Sequence, residues 1–100
     1  MKVYQGIRTG TGVDVTVDGQ PLHPRLDLWN HSPDGFEWGY RGSGPAQLAL
    51  ALLADCLQDD NEAIGWHQEF KNAVVAGLPL AGWSLTEVEI LEAMCVFQDQ

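Results

Sequence analysis

Val13, Val15 and Val17 alternate with Asp14, Thr16 and Asp18, a period of two that predicts a strand with one buried valine face. Upstream, Val3-Tyr4-Gln5-Gly6-Ile7-Arg8 is rich in β formers and runs into Thr9-Gly10-Thr11-Gly12, which predicts a second strand ending in a flexible turn. Asp18-Gly19 predicts a type I′ hairpin, because such a turn needs positive φ at both central positions and Gly19 supplies it without steric cost. Gln20-Pro21-Leu22 is then a short return strand, and Pro21 and Pro24, which lack backbone donors, place it at a sheet edge or just beyond. Two further extended segments follow from alternation. Arg25-Leu26-Asp27-Leu28-Trp29 puts Leu26 and Leu28 on one side, and Phe36-Glu37-Trp38-Gly39-Tyr40 puts three aromatics on one face as a core stripe, with Gly39 opposite. Between them, Asn30-His31-Ser32-Pro33-Asp34-Gly35 is turn chemistry throughout.

The period then changes. After Gly42-Ser43-Gly44, Pro45 fits a first helical turn, with Ser43 or Gly44 as cap. From Ala46 to Leu57 only Gln47 and Asp55 are polar, so this helix is buried on most sides and is the central element packed on the sheet. Asp59-Asp60-Asn61-Glu62 breaks it and opens a second helix, with acids and a capping Asn61 at the positive dipole end. Ala63, Trp66/His67, Phe70, Ala73/Val74 and Gly77 give that helix one buried stripe, while Gly65 inside it costs about 1 kcal/mol relative to Ala. Pro79 makes Leu78–Gly82 a connector. Two overlapping capping boxes, Ser84-Leu85-Thr86-Glu87 and Thr86-Glu87-Val88-Glu89, start a third helix. Its apolar residues form two lines, Val88, Leu91 and Cys95 beside Ile90, Met94 and Phe97, with Glu87, Glu89 and Glu92 outward. Strands first and helices after predict an α+β fold: a small antiparallel sheet packed against about three C-terminal helices, in one domain over residues 1–100.

Composition sets what such a domain can do. Hydrophobic residues make up 45% of the 100 residues and charged residues 19%, a globular balance. The 14 acids against 5 Lys/Arg give a net charge of −9. The imbalance is localised: up to Ala54 five acids face four bases, whereas from Asp55 onward nine acids face Lys71 alone, a net of −8. Such a field repels phosphate backbones, which argues against direct DNA or RNA binding, and attracts basic protein surfaces, including those that normally hold nucleic acid. The longest apolar run, Leu48 to Ala54, falls far short of the ~20 residues of a bilayer span. Without an apolar signal region at the N-terminus, the expected setting is cytoplasmic.

Candidate chemistry is sparse. Gly39-Tyr40-Arg41-Gly42-Ser43-Gly44 sits between an extended segment and a helix, where backbone N–H groups can cradle a phosphate, but Pro45-Ala46 replaces the Lys and Ser/Thr of a P-loop. A ligand turn would enlist Arg41 and Ser43 together with Asn30 and His31. His23, His31 and His67 lack metal-ligand spacing, and Asp59-Asp60-x-Glu62 is explained by helix capping as well as by a cation, so neither a metal nor a cofactor is expected. Ser43, Cys56 and Cys95 have no partner arrangement for nucleophilic catalysis, and no catalytic residue is assigned.

The run from Arg25 to Ala51, with Asn30-His31-Ser32-Pro33-Asp34-Gly35-Phe36-Glu37-Trp38-Gly39-Tyr40-Arg41-Gly42-Ser43-Gly44-Pro45 at its centre, resembles an uncharacterised prokaryotic and phage family of roughly hundred-residue domains. Val3-Tyr4-x-Gly6-Ile7-Arg8, Val15-Thr16-Val17-Asp18-Gly19 and Gly82-Trp83-Ser84-Leu85-Thr86 carry the same likeness, whereas Trp29 and Gly65 stand where a long polar residue is expected. The resemblance implies an intracellular setting in a bacterium or a phage-infected host, where small acidic proteins act as inhibitors or adaptors. With the charge, it gives the expected function. This is a non-catalytic acidic domain that docks on a basic surface of a nucleic-acid-binding complex, as a phage anti-defence inhibitor of the anti-CRISPR kind would. The docking residues are Asp55, Asp59, Asp60, Glu62, Glu69, Glu87, Glu89 and Glu92. The alternatives are a small-ligand, phosphate-binding or enzymatic domain built on the Gly39–Gly44 turn, and a self-associating accessory domain, a homo-oligomer, with Trp29 as its contact.

Overall fold

The computed structural model describes residues 1–98. Strand β1 (Val3–Thr9) turns through Gly10-Thr11 into β2 (Gly12–Val17), and Asp18-Gly19 returns the chain into the two-residue β3 (Gln20–Pro21). Both central turn residues have positive φ, 49° at Asp18 and 83° at Gly19, as the type I′ hairpin requires. Helix α1 (Ser43–Leu57), helix α2 (Asp60–Ala73) and a 3₁₀ turn at Val75–Gly77 follow. Strand β4 (Gly82–Thr86) then leads directly into helix α3 (Glu87–Gln98). The antiparallel sheet has the order β3-β2-β1-β4, so the molecule is an α+β fold of one four-stranded sheet and three helices.

Pairing fixes the buried face. Tyr4 opposes Val17 and Leu85, and Gly6 opposes Val15 and Trp83, so these residues point together while Gln5 and Ile7 face solvent. Against that face lies α1, with every residue from Leu48 to Leu53 fully buried between the sheet and α2. Helix α2 contributes Ala63, His67 and Phe70, and α3 contributes Ile90 and Met94. Trp83 covers the bare backbone of Gly6, where a Cβ would stand 2.4 Å from the indole, and meets Trp38 edge to face at 5.7 Å.

Three segments depart from the sequence-based expectation. Residues 25–29 turn instead of extending, because Arg25 takes φ +55° and its carbonyl accepts from Leu28 N at 3.1 Å. Residues 36–40 form no strand. Gly39 takes φ +87° and donates to Val75 O, and Trp38 is fully buried with its indole N–H on Pro79 O at 2.9 Å, while Tyr40 turns half out to solvent. The three aromatics therefore do not share a face. The start of the expected third helix is instead β4, which alternates Trp83 and Leu85 inward and pairs along β1. Of the two capping boxes the second forms: Thr86 Oγ1 accepts from Glu89 N and Glu89 Oε1 from Thr86 N. At α2 the cap is Asp59, whose carboxylate accepts from Glu62 N at 3.0 Å, and Asn61 lies inside the helix. At α1 the cap position is Gly42, without a side-chain bond. On α3 it is the Ile90–Met94 line that is buried, and Val88, Leu91 and Cys95 are exposed. Among the described residues no helix is long and apolar enough to cross a membrane.

Candidate functional site

Two places concentrate the residues singled out in the sequence. The first is the end of the molecule where α1 stops and α2 and α3 begin. These meet because Asp59 both terminates the α1–α2 connection and caps α2, while β4 delivers α3 beside the start of β1. Asp55 on the last turn of α1 accepts from Lys2 Nζ at 3.0 Å and from the Tyr4 hydroxyl at 2.6 Å. Glu87 accepts from Lys2 N, Asp18 accepts from Val3 N, and Asp60 binds both terminal nitrogens of Arg25. Two cationic side chains are thus held by carboxylates at this end, Lys2 by Asp55 and Arg25 by Asp27 and Asp60, while Asp18, Asp59, Glu87 and Glu89 bond main-chain N–H groups and Glu62 bonds the Trp66 indole. A pocket of about 240 Å³ lined by Leu22, Arg25, Ala54, Asp55, Gln58 and Asp60 opens at this end.

The electrostatics follow the contacts. The hydrogen bond to Asp55 raises the Lys2 ammonium above its ordinary value. Burial first, then Asp55, pushes the Tyr4 phenol up. Asp27 and Asp60 together raise the Arg25 guanidinium. Of the eight acids nominated for docking, Asp55 and Asp60 line the pocket at this end, Asp59 and Glu62 stand in or beside the first turn of α2, and Glu87 and Glu89 stand in the first turn of α3. Glu69 and Glu92 lie further along α2 and α3, exposed on the helix surfaces.

The second place is a histidine pair that the sequence does not reveal. The turn Asn30–Gly35 is held on α1 by Gln47, fully buried, whose Oε1 accepts from His31 N at 2.8 Å and Ser32 N at 3.1 Å. The Gln47 amide in turn donates to Pro24 O at 2.6 Å. This brings His31 Nε2 to 2.9 Å from His67 Nε2 on α2, with Trp29 stacked on the His31 ring at 5.0 Å. His67 Nδ1 lies 2.7 Å from Ile64 O. A carbonyl only accepts, so Nδ1 carries the His67 proton, its Nε2 is an acceptor, and His31 Nε2 donates to it. Burial, then His67 and Lys71, hold the His31 imidazole below its ordinary pKa. Among the described residues no hydroxyl or thiol is hydrogen-bonded to either ring.

The Gly39–Gly44 turn does not assemble the residues nominated with it. Arg41 and Ser43 are exposed, and among the described residues neither makes a side-chain hydrogen bond to Asn30 or His31. Its glycines serve packing: a Cβ at Gly44 would stand 2.7 Å from Glu37 Cβ, and one at Gly39 would collide with Leu80. Glu37 is itself bound by both terminal nitrogens of Arg8, which holds its carboxyl below the usual range, and Arg8 lies over the Trp38 ring. No cluster of three or more His, Cys, Asp or Glu suited to a metal occurs among the described residues.

No curated protein and no solved structure matches the chain. A family described as a family of unknown function, DUF6166, matches residues 4–95, from the second residue of β1 into the third turn of α3, and the chain belongs to that family.

Proposed function

We propose that this chain is a non-catalytic protein-binding domain that docks its acidic end on a basic protein surface, one that otherwise holds nucleic acid. The observation that carries this reading is the end of α1, where Asp55 holds Lys2 and Asp60 holds Arg25 beside the acidic first turns of α2 and α3, with only these two cations paired against them among the described residues. Carboxylates spaced over such an end present to a cationic groove the sign of charge that a phosphate backbone presents, and they steer association over a Debye length. The finer setting we propose is a cell in which the target is a nucleic-acid machine and the domain its inhibitor, as in phage anti-defence. Affinity purification of a tagged copy from its native host identifies the target. Binding to that target should weaken steeply between about 50 and 500 mM salt, and duplex DNA should compete. Affinity that stays flat across that range would refute the electrostatic reading.

A further inference from the structure

We infer that the outer side of α3 is the contact strip for an amphipathic, basic helical segment of the partner. The inference rests on the docking function above and names what the partner must present. Helix α3 buries one line of side chains, Ile90 and Met94, and leaves the line beside it open. Val88 is 45% exposed, Leu91 is 41% exposed and Cys95 is exposed as well. At 100° per residue these three share one stripe at i, i+3 and i+7, about 10 Å long. Val96, 58% exposed, lies beyond Glu92 from this stripe. Glu87 borders the stripe on one side and Glu92 on the other, and Glu87 joins it to the acidic end through its bond to Lys2 N.

An apolar ridge with one carboxylate on each side, Glu87 and Glu92, selects its occupant by charge. A second copy of this chain packed in parallel on this stripe would set Glu87 of one copy against Glu92 of the other, between bodies each carrying −9. An anionic membrane surface would be repelled in the same way. A helix with an aliphatic line flanked by Lys or Arg fits both features, its apolar line on Val88, Leu91 and Cys95 and its cations on Glu87 and Glu92.

The test uses the full chain and two peptides of identical Leu/Lys composition and about 15 residues, one ordered so that its leucines fall on one helical face and one scrambled. The amphipathic peptide should bind more tightly than the scrambled one. Val88→Ser with Leu91→Ser should weaken the amphipathic peptide about tenfold and leave the scrambled peptide unchanged. On the wild-type chain, NMR shifts caused by the amphipathic peptide should centre on Val88, Leu91 and Cys95, a readout independent of whether the variant folds. Equal, salt-sensitive binding of both peptides overturns the inference and leaves the acidic docking function standing. Binding of neither overturns both. Shifts confined to other elements, or a wild-type dimer that the double variant disperses, assign the ridge otherwise and overturn the inference alone.

Discussion

Gln47 is the one polar side chain in the run Ala46–Ala54, and it is fully buried. It satisfies three main-chain groups at once, the N–H of His31, the N–H of Ser32 and the carbonyl of Pro24. Gln47→Leu conserves most of the volume and strands all three. Each unsatisfied buried group costs about 1–3 kcal/mol, and because the 30–35 turn is half-buried and admits some water, the total should be about 3 kcal/mol. Gln47→Glu separates the two halves of the role. Its carboxylate keeps both N–H bonds but turns an oxygen toward Pro24 O, where only the protonated acid can donate. The folded state therefore raises this carboxyl above its unfolded value of about 4.3. Its stability is fully present below that value and is lost as pH rises through the folded-state pKa. Urea midpoints followed by circular dichroism at about pH 7 and about pH 4.5 should show Gln47→Leu equally weakened at both. Gln47→Glu should be weakened at the higher pH and largely restored at the lower. A Gln47→Leu chain within about 1 kcal/mol of wild type, or a Gln47→Glu deficit indifferent to pH, would refute the role given to this side chain.

The histidine pair makes a pH prediction of its own. Since His31 titrates below its unfolded value, the unfolded chain takes up the proton first, so stability should be full above about pH 6.5 and decline toward about pH 5. His31→Gln should flatten that slope, and an unchanged slope in urea titrations would contradict it. At Gly65 a Cβ meets nothing within 4 Å, so Gly65→Ala should raise stability by about 1 kcal/mol in thermal melts, and a neutral or destabilising result would mean that something covers this position. Gly6→Ala forces a methyl onto the Trp83 indole across the β1–β4 pair, and should cost about 1–3 kcal/mol, visible as a lowered urea midpoint with unchanged slope.

Where a local rule decides conformation, the sequence is legible. Asp18-Gly19 can hardly do anything but turn, the Thr86–Glu89 box caps a helix wherever it occurs, and an apolar run such as Leu48–Leu53 must be covered on all sides. Where tertiary contact decides, alternation misleads. Residues 25–29 and 36–40 alternate like strands, yet positive φ at Arg25 and Gly39 turns them, and Trp38 is drawn inward by the carbonyls of Pro79 and Leu80. Strand β4 hides because its period-two signal is only Trp83 and Leu85 and abuts a strong helix start. The lines Val88–Leu91–Cys95 and Ile90–Met94 are equally apolar on paper, and only the packing of α3 on α1 and α2, including Trp66 on Phe97 at 6.4 Å, chooses between them. The His31–His67 contact joins positions 36 apart. Its legible trace is Gln47, a polar residue with no reason to be in that helix except partners elsewhere.

The acids at the junction of the three helices serve folding before they serve any partner, and this determines which of them can be removed to learn about docking. Asp59, Asp60 and Glu62 lie at the positive end of the α2 dipole, and Glu87 and Glu89 at that of α3, where each carboxylate stabilises its helix by about 0.3–1 kcal/mol. That gain offsets the mutual repulsion of so many like charges in one place. Asp55 sits at the opposite, negative end of α1, where a carboxylate is disfavoured, and it is held there by Lys2 and by the Tyr4 hydroxyl reaching it from the core. Neutralising Asp55, Asp59 or Glu87 would therefore loosen a helix end or the β1 terminus together with the surface field, and a loss of binding would have two causes. Glu69, exposed on α2 and outside every cap, ion pair and the α3 contact strip among the described residues, changes the field alone. If negative potential is what the partner reads, removing that one charge must weaken association while leaving the melting temperature where it was.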